Sequence, residues 1–592
     1  MNRTHLRVSA GFALLILAAL PAVGAPPKSP PPKPSQSASP TPAAKAAPPA
    51  QKPQAKVTVI NGVRISGYSA IHFTGNFSSV SLSGPNTQIL MTDTPSHSTL
   101  RFHADTIVSR DSMVTVHMNG HLRYTITRTP PGGAAQTILG TAGHGIYYSK
   151  AKRFEMTEGV DATLTDSSLL QGPGTIHAGN VTIEMASAPF TYMLSGNGGN
   201  DSVRLPLRER AAASAGALHG GVVDLRGFTA GTLQMGRSAE FTGPDTTIDY
   251  ANPAERTTAR LQARRVGAAF GGDPAALQSL AASGDVHFNA ERAAPAGGPT
   301  QTIRGQSGTA LYALSDQQLT LSDGVDALLT SPRDLQGPAR IAAEQVSARL
   351  STPARYEISG APSRTLLEFT PRPRPASPAA AGKSASQTFA LGTVTITGFE
   401  RGVFAPGRNA DITGPQTRFA AADKPAGTSA RLQAGHVVAT FAPDQSIGNA
   451  VASGNVHYRV ERPASGGGGK QSVDGTAQRL TLTNTSGTRQ IEAQGPLRAE
   501  IVDPVHLAAP GHITGQAGDS LRVDLASQVS AFDIDSPNQT ATIDFVPRPT
   551  SAPAAPSSPG TQKPESRAPA PAPAASLQAH RSPTHRRVKP GK

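Results

Sequence analysis

Apolar and polar residues alternate along most of this chain with a period of two. In 121–128, Leu122, Tyr124 and Ile126 fall on one side of an extended backbone, and His121, Arg123, Thr125 and Thr127 on the other. The alternation returns at Val286, Phe288 and Ala290 and at Val456, Tyr458 and Val460. It continues through Phe154/Met156, Leu319/Leu321 and Leu480/Leu482. Runs of about five to eight residues end at Gly, Asn, Asp or Pro, which predicts short strands separated by turns. Only two short stretches, around 206–214 and 274–282, admit a helix. The expected fold class is all-β, mostly antiparallel, each sheet with one buried and one wet face.

The strand pattern repeats three times. Gly84-Pro85-Asn86-Thr87, Gly243-Pro244-Asp245-Thr246 and Gly414-Pro415-Gln416-Thr417 are followed at a constant interval by Ala104, Ala263 and Ala434. Next come Gly120-His121-Leu122-Arg123-Tyr124, Gly284-Asp285-Val286-His287-Phe288 and Gly454-Asn455-Val456-His457-Tyr458, and then Gly140, Gly305 and Gly475. Gly159-Val160-Asp161-Ala162 and Gly324-Val325-Asp326-Ala327 match Gly495-Pro496-Leu497-Arg498-Ala499. Three units of about 160 residues result, spanning 57–210, 216–375 and 386–546. A tandem array of this kind is quasi-one-dimensional, each unit covering its neighbour's edge.

The two ends have a different character. Residues 1–24 read as a secretory signal peptide: Arg3 and Arg7 precede a short apolar run, 11–20, and Ala22-Val23-Gly24 offers a small-residue cleavage site. Cleavage and an uncleaved N-terminal anchor both stay open. Residues 25–56, rich in Pro, Ala and Lys, and the basic Pro-rich tail 547–592 bury too little apolar surface to offset their ordering entropy, so both are expected to be disordered.

Charge then changes the picture. The chain carries 54 Lys and Arg against 40 Asp and Glu, a net +14 that invites a nucleic-acid reading. Counted by segment, 57–546 holds 39 bases and 39 acids, so the whole excess lies in the signal, linker and tail. Nucleic acid is therefore not expected as a partner; the basic ends suit anionic lipid or cell-wall polymer. The chain has no Cys and no Trp, which excludes a disulfide scaffold and a Cys nucleophile.

Catalytic chemistry finds no foothold. There is no Gly-x-Ser-x-Gly elbow and no His-Glu-x-x-His. His121, His287 and His457 lie on outward faces about 165 residues apart, without a second ligand at fixed spacing, and read as solvated strand residues. Asp161 and Asp326 meet Leu497 and Arg498 in the third unit, so they read as turn or strand-end caps rather than a glycosidase pair. The Gly-Pro sites read as turns and not phosphate cradles. No enzyme, cofactor or metal is expected.

The lines Ala282-Ser283-Gly284-Asp285-Val286-His287-Phe288 and Ala452-Ser453-Gly454-Asn455-Val456-His457-Tyr458 carry a resemblance. With the following block, Gly475 to Leu480 and Ile491 to Gly495, they resemble the OstA-like family of lipopolysaccharide-transport proteins, the LptA type. The resemblance covers about 70 residues of each unit, best in the second and third. It implies tandem, twisted, open β-jelly rolls whose apolar interior carries acyl chains of lipopolysaccharide or a similar envelope lipid toward the outer membrane. It also implies a location in the periplasm or envelope of a diderm bacterium, and end-to-end sheet pairing with other OstA-like proteins. The chain departs from the family in its three fused units and its basic ends.

Under that reading Leu122, Tyr124, Ile126, Phe154, Met156, Val286, Phe288, Leu319, Leu321, Val456, Tyr458, Val460, Leu480 and Leu482 line the lipid groove. The same residues equally suit the packed core of an exported repeat scaffold or adhesin. The two readings part on one observation: a continuous apolar cleft favours transport, a filled interior the scaffold.

Overall fold

The computed structural model describes residues 57–549 apart from 76–77, 130–133, 188, 197–198, 209–220, 254–255, 272–275, 294–299, 314–317, 333–334, 350–354, 373–391, 406–407, 424–426, 442–446, 465–468, 486–487 and 525–530. The signal, the linker and the tail beyond 549 lie outside the described residues.

The protein is all-β: the described residues form thirty-seven strands and no helix. The stretch expected as a second helix is instead part of the strand Ala276–Arg292 over 276–282, while 274–275 lie outside the described residues. Cross-strand pairing of Leu280 with Tyr312 outweighs the local helix propensity of an Ala-rich run. Of the other, 206–214, Pro206 closes the strand Ser202–Pro206, and 209–214 lie outside the described residues.

The ladders between strands are antiparallel and join all thirty-seven strands into one continuous sheet, folded into two layers, here sheet I and sheet II, that share its longest strands. Sheet I begins with Val57–Ile60 paired to Val63–Ser66 and ends with Thr542–Asp544 on Gly511–Gly515. Sheet II begins with Ala70–Thr74 paired to Ser79–Ser83 and ends with Ala531–Asp535 on Ser520–Asp524. Between these ends, strands of thirteen to seventeen residues such as Ala276–Arg292, Gln301–Ala313 and Ile447–Pro463 run through both sheets. They are longer than the five to eight residues the turn signals suggest. Gly120, Gly284 and Gly454 are corners inside strands, where the backbone leaves one sheet and enters the other.

The corner chemistry explains the repeat. At each corner the register slips, between Asn119 and Leu122, Ser283 and Val286, and Ser453 and Val456. The slip is a β-bulge built on Gly120-His121, Gly284-Asp285 and Gly454-Asn455, all with positive φ. Met118 and Leu122, four residues apart, keep this strand's alternation, while the partner strand shifts its own, so that Ala142 and Tyr147 are both buried though five residues apart. The Gly-Pro-x-Thr element makes the next corner. A Cβ on Gly414 would stand 2.6 Å from the Glu400 backbone nitrogen. The buried hydroxyls of Thr87, Thr246 and Thr417 donate back to the carbonyls of Gly84, Gly243 and Gly414 at 2.8, 3.2 and 2.7 Å. In the second and third repeats these residues lie within the strands Ser238–Asn252 and Asn409–Asp423, not in turns.

The three repeats join by strand pairing in both sheets. Ser202–Pro206 pairs with Val222–Arg226, and Leu366–Phe369 with Thr393–Thr397, in sheet I. Thr191–Ser195 pairs with Ala230–Gln234, and Arg355–Ser359 with Arg401–Ala405, in sheet II. The buried apolar side chains fall into three main clusters, spanning 63–241, 261–412 and 434–523. The core therefore thins inside the second and third repeats, not at their sequence boundaries. Ile248 bridges the first break and Phe419, at the equivalent position, the second.

Candidate functional site

The wet faces carry ordinary surface chemistry. Asp161 pairs with His177 directly across the strand, and Asp326 lies 3.1 Å from Arg340. Both aspartates are cross-strand ion-pair partners rather than turn caps, and exposed pairs of this kind contribute at most about 1 kcal/mol each. Arg498, the equivalent in the third repeat, is exposed opposite Thr514. His121 bonds Asp105 at 2.7 Å at an exposed corner, and His287 and His457 are exposed. No three His, Asp or Glu converge among the described residues.

The interior is where the repeats differ. All fourteen residues expected to line a groove face inward: twelve are buried, and Val460 and Leu482 are half-buried. In the first repeat they are packed against one another. Phe154 stands 4.9 Å from Phe102 and 5.5 Å from Tyr124, ring centre to ring centre. Burial drives the Tyr124 phenol far above its usual pKa, and its hydroxyl has no hydrogen-bond partner among the described residues.

Register permits a position-by-position comparison. Leu100 faces Ile126 in the first repeat, Ala259 faces Ala290 in the second, and Ala430 faces Val460 in the third. On the opposite wall Val80 becomes Ala239 and Ala410, since each stands one residue into the matching ladder. Three aliphatic side chains, Leu, Ile and Val, are thus exchanged for methyl groups at one level of the second repeat. In a closed core each such truncation costs about 2–5 kcal/mol.

A cavity of about 120 Å³ opens at this level. Sheet I supplies Leu225, Ile248, Tyr250, Ala259, Leu261 and Ala290, and sheet II supplies Leu233, Met235, Phe241, Val266 and Phe270. The cavity lies where the first apolar cluster, ending at Phe241, gives way to the second, beginning at Leu261. Tyr250 belongs to neither. A smaller cavity of about 50 Å³ lies in the third repeat against Tyr458, Val460, Ile491 and Phe532. Both members of the Ala259–Ala290 pair line the larger void, whereas of the Ala430–Val460 pair Val460 alone lines the smaller.

Of the fourteen expected lining residues, Phe288 touches the large cavity, and Tyr458 and Val460 the small one. The others pack the core around these voids. The residues that create the large void, Ala239, Ala259 and Ala290, were not among those expected to line it. Aligning the three repeats by inward position and comparing side-chain volume would have singled them out.

An apolar void of this size excludes water for want of polar partners; an apolar cavity of about 150 Å³ stays dry and accepts benzene. What it can do chemically is hold a short stretch of hydrocarbon. No protein-family model matches the chain, and no curated protein matches its sequence.

Proposed function

We propose that this is a non-catalytic, exported lipid-binding protein of the OstA-like type, which holds part of an acyl chain between its two sheets. The observation that carries this reading is the apolar cavity formed where Ala259 and Ala290 replace the Leu100–Ile126 pair. Each methylene that enters an apolar site from water contributes about 0.8 kcal/mol. An acyl chain would so recover the stability given up by the missing side chains. The ligand class is lipopolysaccharide or a similar envelope lipid, and the place is the periplasm or envelope of a diderm bacterium. The neutral core leaves the basic ends to contact anionic lipid or cell-wall polymer.

A photo-crosslinking residue at Leu261 or Tyr250 should capture lipid in cells, and the same residue at Leu122 should not. Native mass spectrometry of the purified chain should show the lipid bound. Equal capture at all three positions, or at none, would end this reading.

One observation favours a second reading. The first repeat is filled by Phe102, Tyr124 and Phe154, and the cavity borders it at Leu169, Leu205 and Leu207. A scaffold or adhesin needs only that packed array. Protein free of lipid after purification from cells would support it.

A further inference from the structure

The two ends of the array are not equivalent, and the first strand is the reason. At both internal joints a repeat's last sheet I strand lies on the next repeat's first. Val203 stands opposite Leu225 and Leu205 opposite Val223; Leu367 stands opposite Ile396 and Phe369 opposite Val394. Val57–Ile60 makes the same antiparallel pairing on Val63–Ser66, with Thr58 opposite Ile65 and Ile60 opposite Val63. It is held there by a hairpin through Asn61-Gly62, both at positive φ, the two-residue type I′ turn. Val57–Ile60 therefore fills, in register, the slot that a preceding repeat would fill.

It fills that slot poorly. The half-buried polar Thr58 stands where the joints place Val203 and Leu367. Val57 and Val59 are exposed on the wet face. In sheet II no such substitute exists: among the described residues Ala70–Thr74 pairs with Ser79–Ser83 alone, whereas its equivalents also receive Thr191–Ser195 and Arg355–Ser359.

The other end of the chain supplies what is missing. Ala531–Asp535 and Thr542–Asp544 are the third repeat's counterparts of the joint strands, and Ile543, Phe545 and Val546 are exposed there. Laid on a second copy in the joint register, Ile543 meets Ile65, Phe545 meets Val63, and Ile534 meets Ile71. Asp544 meets Arg64, as Arg204 meets Asp224 at 3.8 Å in the first joint, and Asp533 meets His72. Apolar residues thus meet on the inner faces of both sheets, with Ile71 standing where the internal joints carry Gly231 and Gly402.

The joint closes only if both sheets pair at once, as they do internally. With Val57–Ile60 in place, sheet I is one strand wider at that end. One strand occupies about 4.8 Å, which holds the sheet II edges beyond the ~2.9 Å that a backbone hydrogen bond requires. We propose that Val57–Ile60 is a built-in terminator of head-to-tail assembly, displaced when the strand Thr542–Asp544 of a second copy takes its place. The inference is independent of the lipid reading, since it concerns only the sheet edges.

The chain has no Cys, so engineered thiols report the joint cleanly. Full-length protein carrying His72→Cys is mixed under mild oxidation with protein carrying Asp533→Cys. Opposite residues lie about 4.5–5.5 Å apart between Cα atoms, within disulfide reach. Deleting 57–60 from the His72→Cys chain should raise the yield of cross-linked dimer at least tenfold over the undeleted chain. Arg64→Asp should abolish the gain, and Asp544→Arg in the other chain should restore it. Gly62→Val, which strains the hairpin without touching a neighbour, serves as the milder variant should the deletion lose its sheet signal by circular dichroism. No dimer from either folded variant would overturn the joint. Equal dimer with and without Val57–Ile60 would overturn its role as terminator.

Discussion

The ring of Tyr124 lies over Gly140, its partner on the next strand, so closely that a Cβ on Gly140 would stand 2.7 Å from the Tyr124 Cζ. Phe288 covers Gly305 and Tyr458 covers Gly475 in the same way, at 2.9 and 2.7 Å. The glycine leaves a bare stretch of backbone that the ring roofs, an aromatic pairing that pins strand register. Gly140→Ala should destabilise the protein by about 1–3 kcal/mol in chemical denaturation, the usual penalty of overpacking. Adding Tyr124→Ala should not relieve it fully, because the Asp161 carbonyl lies 2.2 Å from the same Cβ position. Full recovery in the double variant would show the ring to be the sole obstacle.

Refilling the second repeat tests the void. Ala259→Leu with Ala290→Ile restores the first repeat's pair in the register that faces them. The ligand-free protein should gain about 1–3 kcal/mol in denaturant melts, from apolar surface newly buried. Lipid retained through purification should fall to background by native mass spectrometry. A variant that gains stability and still carries lipid would place the ligand elsewhere.

The corner threonines are separable from their glycines. Thr417→Val keeps the shape but removes the 2.7 Å bond to the Gly414 carbonyl, and should cost about 1 kcal/mol in thermal or chemical unfolding. Gly414→Ala should cost more, since its φ of +152° and the Glu400 nitrogen at 2.6 Å leave no room for a methyl. A smaller loss for Gly414→Ala than for Thr417→Val would contradict the corner geometry.

Alkaline titration reads the interior directly. Burial pushes the phenols of Tyr147, Tyr312 and Tyr458 up to about 12, and those of Tyr124, Tyr192 and Tyr356 upward as well. The folded state thus holds these protons more tightly than the unfolded chain, whose phenols titrate near 10. Their contribution is complete below about pH 10 and is lost as pH rises through about 12. With no Trp to interfere, the phenolate absorbance of these six should appear together with loss of sheet. Six phenols ionising near pH 10 with the fold intact would refute their burial.

Much of this architecture is legible without coordinates because it is local. Alternation assigns Leu122, Tyr124 and Ile126 to one face within eight residues of chain, and the thrice-repeated Gly-Pro-x-Thr marks a change of chain direction, read as a turn, where the structure places a corner. Two further markers emerge in full only with the strand pairings. Gly67-Tyr68, Gly227-Phe228 and Gly398-Phe399 repeat at the joints, where a Cβ on each glycine would strike the carbonyl of Asn86, Asp245 or Gln416. Leu507 repeats the bridges of Leu170 and Leu335 to the strand beyond. Sequence also set the wrong length on the strands, since a glycine that ends a strand and one that bends it look the same until the partner strands are known.

The sequence by itself determined the all-β class, the three repeats, the inward faces and the neutrality of 57–546, because each depends on spacing or composition along one chain. Only the tertiary structure decided which repeat is hollow and which end is closed. A void is the sum of side-chain volumes brought together from strands far apart in the chain: Ala239, Ala259 and Ala290 mean nothing until register stacks them at one level. Likewise Val57–Ile60 reads as one more strand until its pairing with Val63–Ser66 places it in the slot of a missing neighbour.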